Sequence, residues 1–347
     1  MMIRSISIYG LFGEYDYNVN LSDGNITFIH SQNGFGKSTL MKLIYNVLDG
    51  DLAEVEATPF DRLDLGFDDS TNLIVENGNE GLLVQMQRNE VEEELSSEDL
   101  KKILDVTYIS PERMTIKEGE YLVSSLDVYM RELTEKMKYA FEHCELIIPP
   151  IEGRKKYSDD ELEFWSKDLK AKLDFIKQAG FEPDMPPGYR FPPTRFEIME
   201  YRKDYYDLAY SINEYVNKYY DLAESIIVYM DIVNNIYVNK GIYVNENGIL
   251  TARMDNGTAL PISKLSSGEK EILVIFYRLL FQTKPGSLAI IDEPEISLHI
   301  TWQQQLGKTL IDLARLRNLH IIIATHSPQI IHDNWDLAIE LKVEDDR

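Results

Sequence analysis

The chain has 347 residues, a formal net charge of −24, 44% hydrophobic residues and one cysteine. A content of 3 Trp, 21 Tyr and 13 Phe excludes a disordered or collagen-like chain, and the length predicts about two domains. A single cysteine, Cys144, allows neither an intrachain disulfide nor a cysteine-based zinc site.

The first twenty residues lack the charged and then apolar layout of a signal peptide, and no apolar run reaches the roughly 18 residues of a membrane span. We therefore expect a cytoplasmic protein that does not contact a membrane. The negative charge disfavours nucleic-acid binding over most of the surface, because phosphates are bound by Lys and Arg. Direct DNA binding would need a local basic face or a partner.

In chain order, three short β-rich runs come first, at residues 3–9, 15–21 and 25–30. A glycine-containing loop and then a helical pattern follow, with Leu40, Leu43, Ile44, Val47 and Leu48 at helical spacing. The predicted order is strand, glycine loop, helix.

Residues 51–120 are strand-like in pieces, with a charged helix predicted over 96–104. The stretch holds 19 acidic and 6 basic residues, so it carries 13 of the 24 net negative charges. A solvated outer face is the favoured interpretation, and an acidic docking surface is the alternative.

Helical patterns dominate residues 122–235. The first, over 126–144, repeats every three or four residues and places Cys144 on its apolar seam, which predicts a buried structural thiol. The second opens at Ser158, with Glu161 three residues on as a capping box, and should stop at Gly180.

A proline-rich bend at 182–193 interrupts the helices. Over 201–233, tyrosines and aliphatic residues then recur with a 3.5-residue period, the pattern of a coiled-coil seam. This regular spacing favours core packing over base stacking by the tyrosines.

Residues 241–262 alternate apolar and polar side chains about two turn sequences, which predicts a β-meander. Helices and strands alternate in the remainder, with helices predicted at 266–282 and 298–316 and strands at 288–292, 320–324 and 337–341. This alternation predicts an α/β domain with a largely parallel sheet.

The glycine loop Ser31-Gln-Asn-Gly-Phe-Gly-Lys-Ser-Thr39 fits a phosphate-binding P-loop, although Ser31 stands where the pattern has its first glycine. In such a loop backbone N–H groups wrap the phosphates, the lysine reaches the β- and γ-phosphates, and the hydroxyl binds Mg²⁺. The residues assigned to ATP here are Asn33, Gly34, Gly36, Lys37, Ser38 and Thr39.

Three further motifs follow the helical region. An apolar strand ends in Asp292 and Glu293, where one carboxylate can hold Mg²⁺ and the next can polarise a water molecule. The sequence Leu265-Ser-Ser-Gly-Glu-Lys270 opens a helix, and His326 follows a three-isoleucine strand.

With these motifs in this order, the chain resembles the ABC-type ATPases of the SMC, Rad50, RecF and overcoming-lysogenization-defect group. The resemblance implies an α/β ABC-ATPase head, with a mixed or parallel sheet and a P-loop, interrupted by a helical coiled-coil insertion. It implies a head N-terminal lobe at 1–121, the insertion at 122–235 and a head C-terminal lobe at 236–347.

The resemblance also implies roles. Glu293 would be the catalytic base, His326 the switch histidine, and Ser38 with Asp292 the Mg²⁺ ligands, with ATP and Mg²⁺ as cofactors. Two heads would face each other as a homo-oligomer, so that the signature residues Ser266, Ser267, Gly268 and Glu269 bind ATP held by the other subunit. Gln85 and Gln87 are weak candidates for a Q-loop, which stays unassigned.

Two stretches, 287–306 and 321–341, are similar to the stand-alone ATPases of bacterial anti-phage systems, PARIS first and Septu second. This implies a switch subunit that holds and releases a separate nuclease effector, Toprim-type first and HNH second, with a phage protein as the possible trigger. Only 21 residues follow His326, so we expect the nuclease on another polypeptide. The alternative is a DNA-repair clamp like RecF or Rad50, and a transporter subunit is a third hypothesis.

Overall fold

The structure of the chain is a computed structural model that describes residues 1–32, 34–78, 81–88, 91–119, 121–245 and 247–342. The chain forms two compact units. The first, called the head, comprises Met1–Ile116 and Ser267–Arg347, and the second, called the helical unit, comprises Lys117–Ser266. Among the described residues, no helix combines the length and the apolar character needed to cross a membrane.

The head contains a five-stranded parallel sheet. Numbered in chain order along the sequence, its strands lie side by side as β16 (Ala338–Glu340), β3 (Ile26–His30), β15 (His320–Thr325), β14 (Leu288–Asp292) and β8 (Val106–Ile109). Strands β14 and β15 are buried along their whole length, as expected of parallel strands covered on both faces. Asp292 is in register with Ala324, and Thr325 with His30. The carboxyl ends of β3, β14 and β15 therefore meet at one edge.

A six-stranded antiparallel sheet completes the β structure of the head. Its strands lie in the order β2 (Tyr15–Asn20), β1 (Ile3–Leu11), β4 (Arg62–Phe67), β5 (Asn72–Gly78), β6 (Gly81–Arg88) and β7 (Val91–Glu94). Apolar side chains of this sheet, of the parallel sheet and of the helix that follows β3 share one core. Because β3 and this helix both contribute to the core, the P-loop that joins them is anchored at both ends.

In the described part of the head, six segments are α-helical. They are α1 (Lys37–Asp49), α2 (Leu52–Ala57), α3 (Ser97–Leu100), α8 (Ser267–Tyr277), α9 (Ile300–Leu316) and α10 (Pro328–Ile331). Helix α8 continues into a π-helical turn at Arg278–Gln282, and a 3₁₀ turn covers Trp335–Leu337. The charged helix predicted over 96–104 is shorter than expected: only α3 is helical, and residues 101–103 form a turn.

The helical unit is built around one long helix. Strand β9 (Thr115–Glu118) crosses from the head into the helical unit. The elements that follow in the unit are β10 (Tyr121–Ser124), α4 (Ser125–Glu142), α5 (Asp159–Lys177), α6 (Arg195–Glu200) and the long helix α7 (Arg202–Ile236). After α7 come β11 (Lys240–Val244), β12 (Leu250–Met254), β13 (Ala259–Leu260) and a 3₁₀ turn at Ile262–Lys264. With 35 residues, α7 is about 52 Å long at 1.5 Å per residue. It packs against α5 and β11. Strands β11, β12 and β13 form the predicted meander.

The seam predicted for α7 is a packing surface. Eight of its ten positions are buried: Tyr205, Leu208, Ile212, Tyr215, Tyr219, Ile226, Tyr229 and Val233. Leu222 is half-buried, and Tyr201 is exposed because it precedes the first turn of α7. Core packing by the tyrosines is thus confirmed.

Two local predictions for the helical unit had opposite outcomes. The capping box of Ser158 and Glu161 is formed at the start of α5. The buried seam position predicted for Cys144 is wrong, because α4 ends at Glu142 and Cys144 lies beyond it, half-buried. Its Sγ donates to Asp184 Oδ2 at 3.2 Å, and this hydrogen bond raises the pKa of the thiol.

Candidate nucleotide-binding and catalytic site

The P-loop lies between the end of β3 and the first turn of α1. Gly34 and Gly36 have φ values of 90° and 74°, in the left-handed region that favours glycine. A Cβ atom on Gly36 would lie 2.8 Å from Leu11 Cδ2, so a larger residue there would also displace this buried side chain. Tyr17 Oη donates a hydrogen bond to Phe35 O at 2.7 Å, which anchors the middle of the loop. Asn33 lies outside the described residues.

Lys37 lies inside the curl of this loop and is only 5% exposed. Its Nζ donates to Ser31 O at 3.0 Å, Ser31 Oγ at 3.1 Å and Gln32 O at 3.2 Å. Burial lowers the pKa of Lys37, and the carboxylates at the end of β14 and in the turn after it act in the opposite direction. The lysine predicted to reach phosphates is thus held among oxygen acceptors at the loop. Ser38 and Thr39 follow it, half-buried, in the first turn of α1.

Asp292 is the last residue of β14 and is fully buried. Its Oδ2 accepts a hydrogen bond from Tyr108 Oη at 3.1 Å, whereas its Oδ1 is buried and has no hydrogen-bond partner within the described residues. Burial raises the pKa of Asp292, while its interactions with the Ser38 and Tyr108 hydroxyls lower it.

A buried carboxylate oxygen without a partner, near a hydroxyl, fits one end of a magnesium site. Mg²⁺ is commonly held by one or two protein oxygens together with water and substrate phosphates, not by a cage made of protein alone. No cluster of three or more His, Cys, Asp or Glu side chains suited to a metal ion occurs in the described part of the chain. The donor set of Ser38 and Asp292 agrees with that chemistry.

Glu293 and His326 come together at the same edge of the sheet. Glu293 has a left-handed φ of 46°, and its N–H donates to Ala324 O at 2.8 Å across to β15. His326 Nδ1 lies 3.4 Å from Glu293 Oε1. His326 is accessible, with 43% of its side chain exposed. The structure thus brings the predicted base and the predicted switch histidine into contact range.

Glu295 is part of this cluster and was missed by sequence reasoning. Its Oε1 accepts hydrogen bonds from Thr325 Oγ1 at 2.6 Å, His326 N at 2.9 Å and Ser327 N at 3.1 Å. It therefore fixes the backbone that carries His326. The only sequence indication was its position two residues after Glu293, because its partners come from a strand about thirty residues further along the chain.

Arg113 is the second residue that sequence reasoning missed. Its buried guanidinium donates to Glu293 O at 3.4 Å and Pro294 O at 3.2 Å, and lies 3.5 Å from Asp292 O. Its Nε forms an ion pair with Glu271 Oε2 of α8 at 2.5 Å. Arg113 thus joins the turn after β14 to α8. The sequence indication was a charged residue shortly after strand β8.

The signature residues lie at the start of α8. Ser266 and Ser267 are exposed, and Gly268 and Glu269 are buried. A Cβ atom on Gly268 would lie 2.7 Å from Ser297 O, so this glycine permits close contact with residues 297–299, which the resemblance to ABC-type ATPases assigns to the D-loop. Lys37 of the P-loop, by contrast, interacts with the carboxylates at and after the end of β14.

The two weak Q-loop candidates lie on β6 of the antiparallel sheet. Gln85 is in register with Glu94, and Gln87 Nε2 donates to Glu92 Oε1 at 3.3 Å. Their described partners belong to β5 and β7, so the structure gives no reason to assign either of them to the nucleotide site.

Fold and site together define the class of the protein as an ABC-type ATPase of the SMC and Rad50 group. A solved structure titled SmcHead bound to the C-winged helix domain of ScpA matches 99% of this chain and 95% of its own, with a TM-score of 0.51 and 13% identity. At that identity the likeness concerns the fold alone.

The chain belongs to the family described as "AAA domain, putative AbiEii toxin, Type IV TA system", which matches residues 152–332, just over half of its length.

Two curated proteins match shorter stretches. The "Retron Ec83 probable ATPase" of Escherichia coli is 34% identical over 88 residues, covering 22% of this chain and 16% of that protein. "Protein ea59" of Escherichia phage lambda is 39% identical over 70 residues, covering 20% and 13%. The aligned part therefore spans less than a fifth of either relative.

Proposed function

We propose that the protein is an ATP-binding and ATP-hydrolysing switch subunit. The observation that carries this proposal is the meeting of Lys37, Asp292, Glu293 and His326 at one edge of the parallel sheet. Each group has a different chemical task in phosphoryl transfer, and the register of β3, β14 and β15 explains why they converge.

The loop geometry supports ATP binding. The N–H groups of the P-loop and of the first turn of α1 face the phosphates, where the positive end of the helix dipole adds to the attraction. Lys37 exchanges its bonds to Ser31 and Gln32 for phosphate oxygens. Ser38 and Asp292 would hold Mg²⁺, which neutralises charge on the phosphates when bound.

Hydrolysis requires a base beside the attacking water. Glu293 Oε1 accepts a proton from the water molecule while the water oxygen attacks the γ-phosphorus. The bond from the γ-phosphorus to the β,γ-bridging oxygen breaks, and ADP leaves. His326, within 3.4 Å of the same carboxylate, donates toward the γ-phosphate. Arg113 and Glu295 keep the two loops in place through their bonds to backbone groups.

Two heads form the complete site in this proposal. Ser266 and Ser267 are exposed, so both residues can contact ATP bound by another subunit. The contact between Gly268 and Ser297 supports a shared interface made of the signature and D-loop segments. ATP would therefore join two copies of the chain.

A binding titration tests the nucleotide site. Lys37→Ala removes the buried ammonium and should weaken binding of a fluorescent ATP analogue at least tenfold, since charged hydrogen bonds are each worth about 1.5–3 kcal/mol. Lys42→Ala is the matched control, because Lys42 lies on the same helix but is 56% exposed and pairs with Glu54. Equal affinity of the wild type and Lys37→Ala would overturn the assignment.

We further propose that the switch acts in the cytoplasm in anti-phage defence, holding and releasing a separate nuclease effector of the Toprim or, second, the HNH type when a phage protein triggers it. A family described as a toxin–antitoxin system and a match to a retron ATPase support this role.

Co-expression with the product of the adjacent gene tests the defence role. A nuclease that co-purifies with the ATPase and is released on ATP hydrolysis is expected, and an adjacent DNA-repair protein without nuclease activity contradicts it.

A DNA-repair clamp like RecF or Rad50 is the second candidate, favoured by the SMC-head fold. It predicts that duplex DNA binds tightly, with a steep salt dependence, and stimulates hydrolysis. Hydrolysis rates measured with and without duplex DNA separate the two candidates.

A further inference from the structure

A groove of about 480 Å³ in the helical unit is lined by basic side chains that no ATPase motif accounts for. Its walls come from residues 151–157 and from the first turns of α7. They include Arg154, Lys156, Arg202 and Lys203. We call it the basic groove. Its charge is opposite to that of the chain as a whole, which is −24.

The segment carrying the first two cations is held firmly against α7. Arg202 Nη2 donates to Tyr157 O at 3.2 Å, and Tyr210 Oη donates to Lys155 O at 2.7 Å. Tyr206 Oη also donates to Tyr157 O. Because three side chains of α7 fix this backbone, the lysines of the segment are presented from an ordered support.

Two cations of the groove are uncompensated. Arg154 forms an ion pair with Asp207, which also lines the groove, at 2.5 Å. Arg202 forms one with Asp159 at 3.3 Å. Lys156 and Lys203 are exposed and form no ion pair with any residue that the structure describes. These two ammonium groups are therefore free to bind an anion.

Aromatic rings lie among these cations. The guanidinium of Arg154 lies 5.1 Å from the centre of the Tyr210 ring, and that of Arg202 lies 5.9 Å from the Tyr206 ring. Tyr157 stacks on Trp165 with ring centres 4.8 Å apart and planes at 23°. Of these rings, those of Tyr157 and Tyr206 line the groove, which thus combines guanidinium and aromatic surfaces with free positive charge.

We propose that the basic groove binds single-stranded nucleic acid. Phosphates would contact Lys156 and Lys203, and bases would lie against the guanidinium and tyrosine surfaces, which is how proteins bind single strands without sequence preference. An acidic peptide would use the charges but not the flat surfaces. The proposal depends only on residues of the helical unit and does not rest on ATP hydrolysis.

Fluorescence anisotropy with a labelled single-stranded DNA of about 20 nucleotides tests the proposal on the full chain in the absence of ATP. The double variant Lys156→Glu/Lys203→Glu should weaken binding by at least about tenfold. Each lost phosphate contact lowers the slope of log affinity against log salt by about 0.7 for single strands, so the slope should fall by roughly 1.4.

The control Lys167→Glu/Lys172→Glu makes the same charge change on exposed positions of α5 and should bind like the wild type. Circular dichroism of both variants verifies that they are folded. Absence of saturable binding by the wild type, or equal loss in the control, overturns the proposal. Displacement of the DNA by polyglutamate as effectively as by unlabelled DNA of equal charge assigns the groove to an acidic protein and also overturns it.

Discussion

At the scale of single residues, Arg113 links two motifs of the ATPase. It donates to backbone carbonyls of the turn that carries Glu293, and it pairs with Glu271, two residues after Glu269 on α8. Burial lowers the pKa of Arg113 and raises that of Glu271, so each charge depends on the other for compensation. The pair thus ties the turn that carries Glu293 to helix α8.

Replacement of Arg113 by Met should therefore have two effects. Leaving Glu271 buried without its partner should lower the free energy of unfolding by about 3–5 kcal/mol, and loss of the carbonyl contacts should slow ATP hydrolysis. Urea unfolding and phosphate release measure the two effects separately.

The double variant Arg113→Met/Glu271→Leu distinguishes the roles. It removes both charges and should recover much of the lost stability, because a buried ion pair can be replaced by apolar side chains at little cost. Hydrolysis should stay slow, since the donors to the turn are still missing. Wild-type hydrolysis in the double variant would show that Arg113 is only structural.

Sequence patterns could predict Lys37, Asp292 and Glu293 because each belongs to a motif of neighbouring residues on a strand or loop. Arg113 and Glu295 could not be predicted, because their partners are supplied by the fold. Arg113, for instance, contacts the Glu293 backbone across 180 residues of sequence. Cys144 was misplaced for the related reason that helical periodicity does not show where a helix ends.

At the scale of elements, β15 carries a buried histidine at its first position. His320 is 2% exposed, and neither ring nitrogen has a hydrogen-bond partner within the described residues. Burial, together with the charge of Arg4, lowers the pKa of His320 to about 4. The folded chain therefore holds this imidazole neutral, and the unfolded chain takes up its proton first as pH falls.

This difference makes stability depend on pH. The contribution of His320 is fully present above pH 6.5 and is lost as pH falls from 6.5 toward 4, because only the unfolded state gains a proton there. The shift corresponds to about 3 kcal/mol. His320→Leu should lower the pH dependence of urea unfolding across this window by a similar amount.

His332→Leu is the control, because the His332 side chain is 50% exposed. The pH dependence of the free energy of unfolding of His332→Leu should match that of the wild type. An unchanged pH dependence in His320→Leu would show that the buried imidazole is not responsible.

The longer elements were the easiest to predict. The period of 3.5 residues identified α7 and its buried seam, and the capping box located the start of α5. Helix α2, with six residues, and strand β7, with four, lacked enough periodicity to be recognised. Their structure depends on the antiparallel sheet beside them.

At the scale of the whole molecule, charge is unevenly distributed. Residues 51–120 carry 13 of the 24 net negative charges, and the edge strand β7 exposes Glu92, Glu93 and Glu94. Charged side chains on an edge strand oppose pairing with other strands, so they explain part of this charge without a partner. The basic groove of the helical unit is a local exception.

In the proposed function, Glu293 is the base for ATP hydrolysis at a site completed by two heads. The most direct test is phosphate release by Glu293→Gln, combined with light scattering after gel filtration in ATP and Mg²⁺. Removal of a positioned base costs about 10²–10⁴-fold in rate. We predict at least a 100-fold slower release, retained ATP and an ATP-dependent pairing of two chains, whereas the control Glu92→Gln on β7 should hydrolyse normally. Hydrolysis by Glu293→Gln at the wild-type rate would exclude Glu293 as the base.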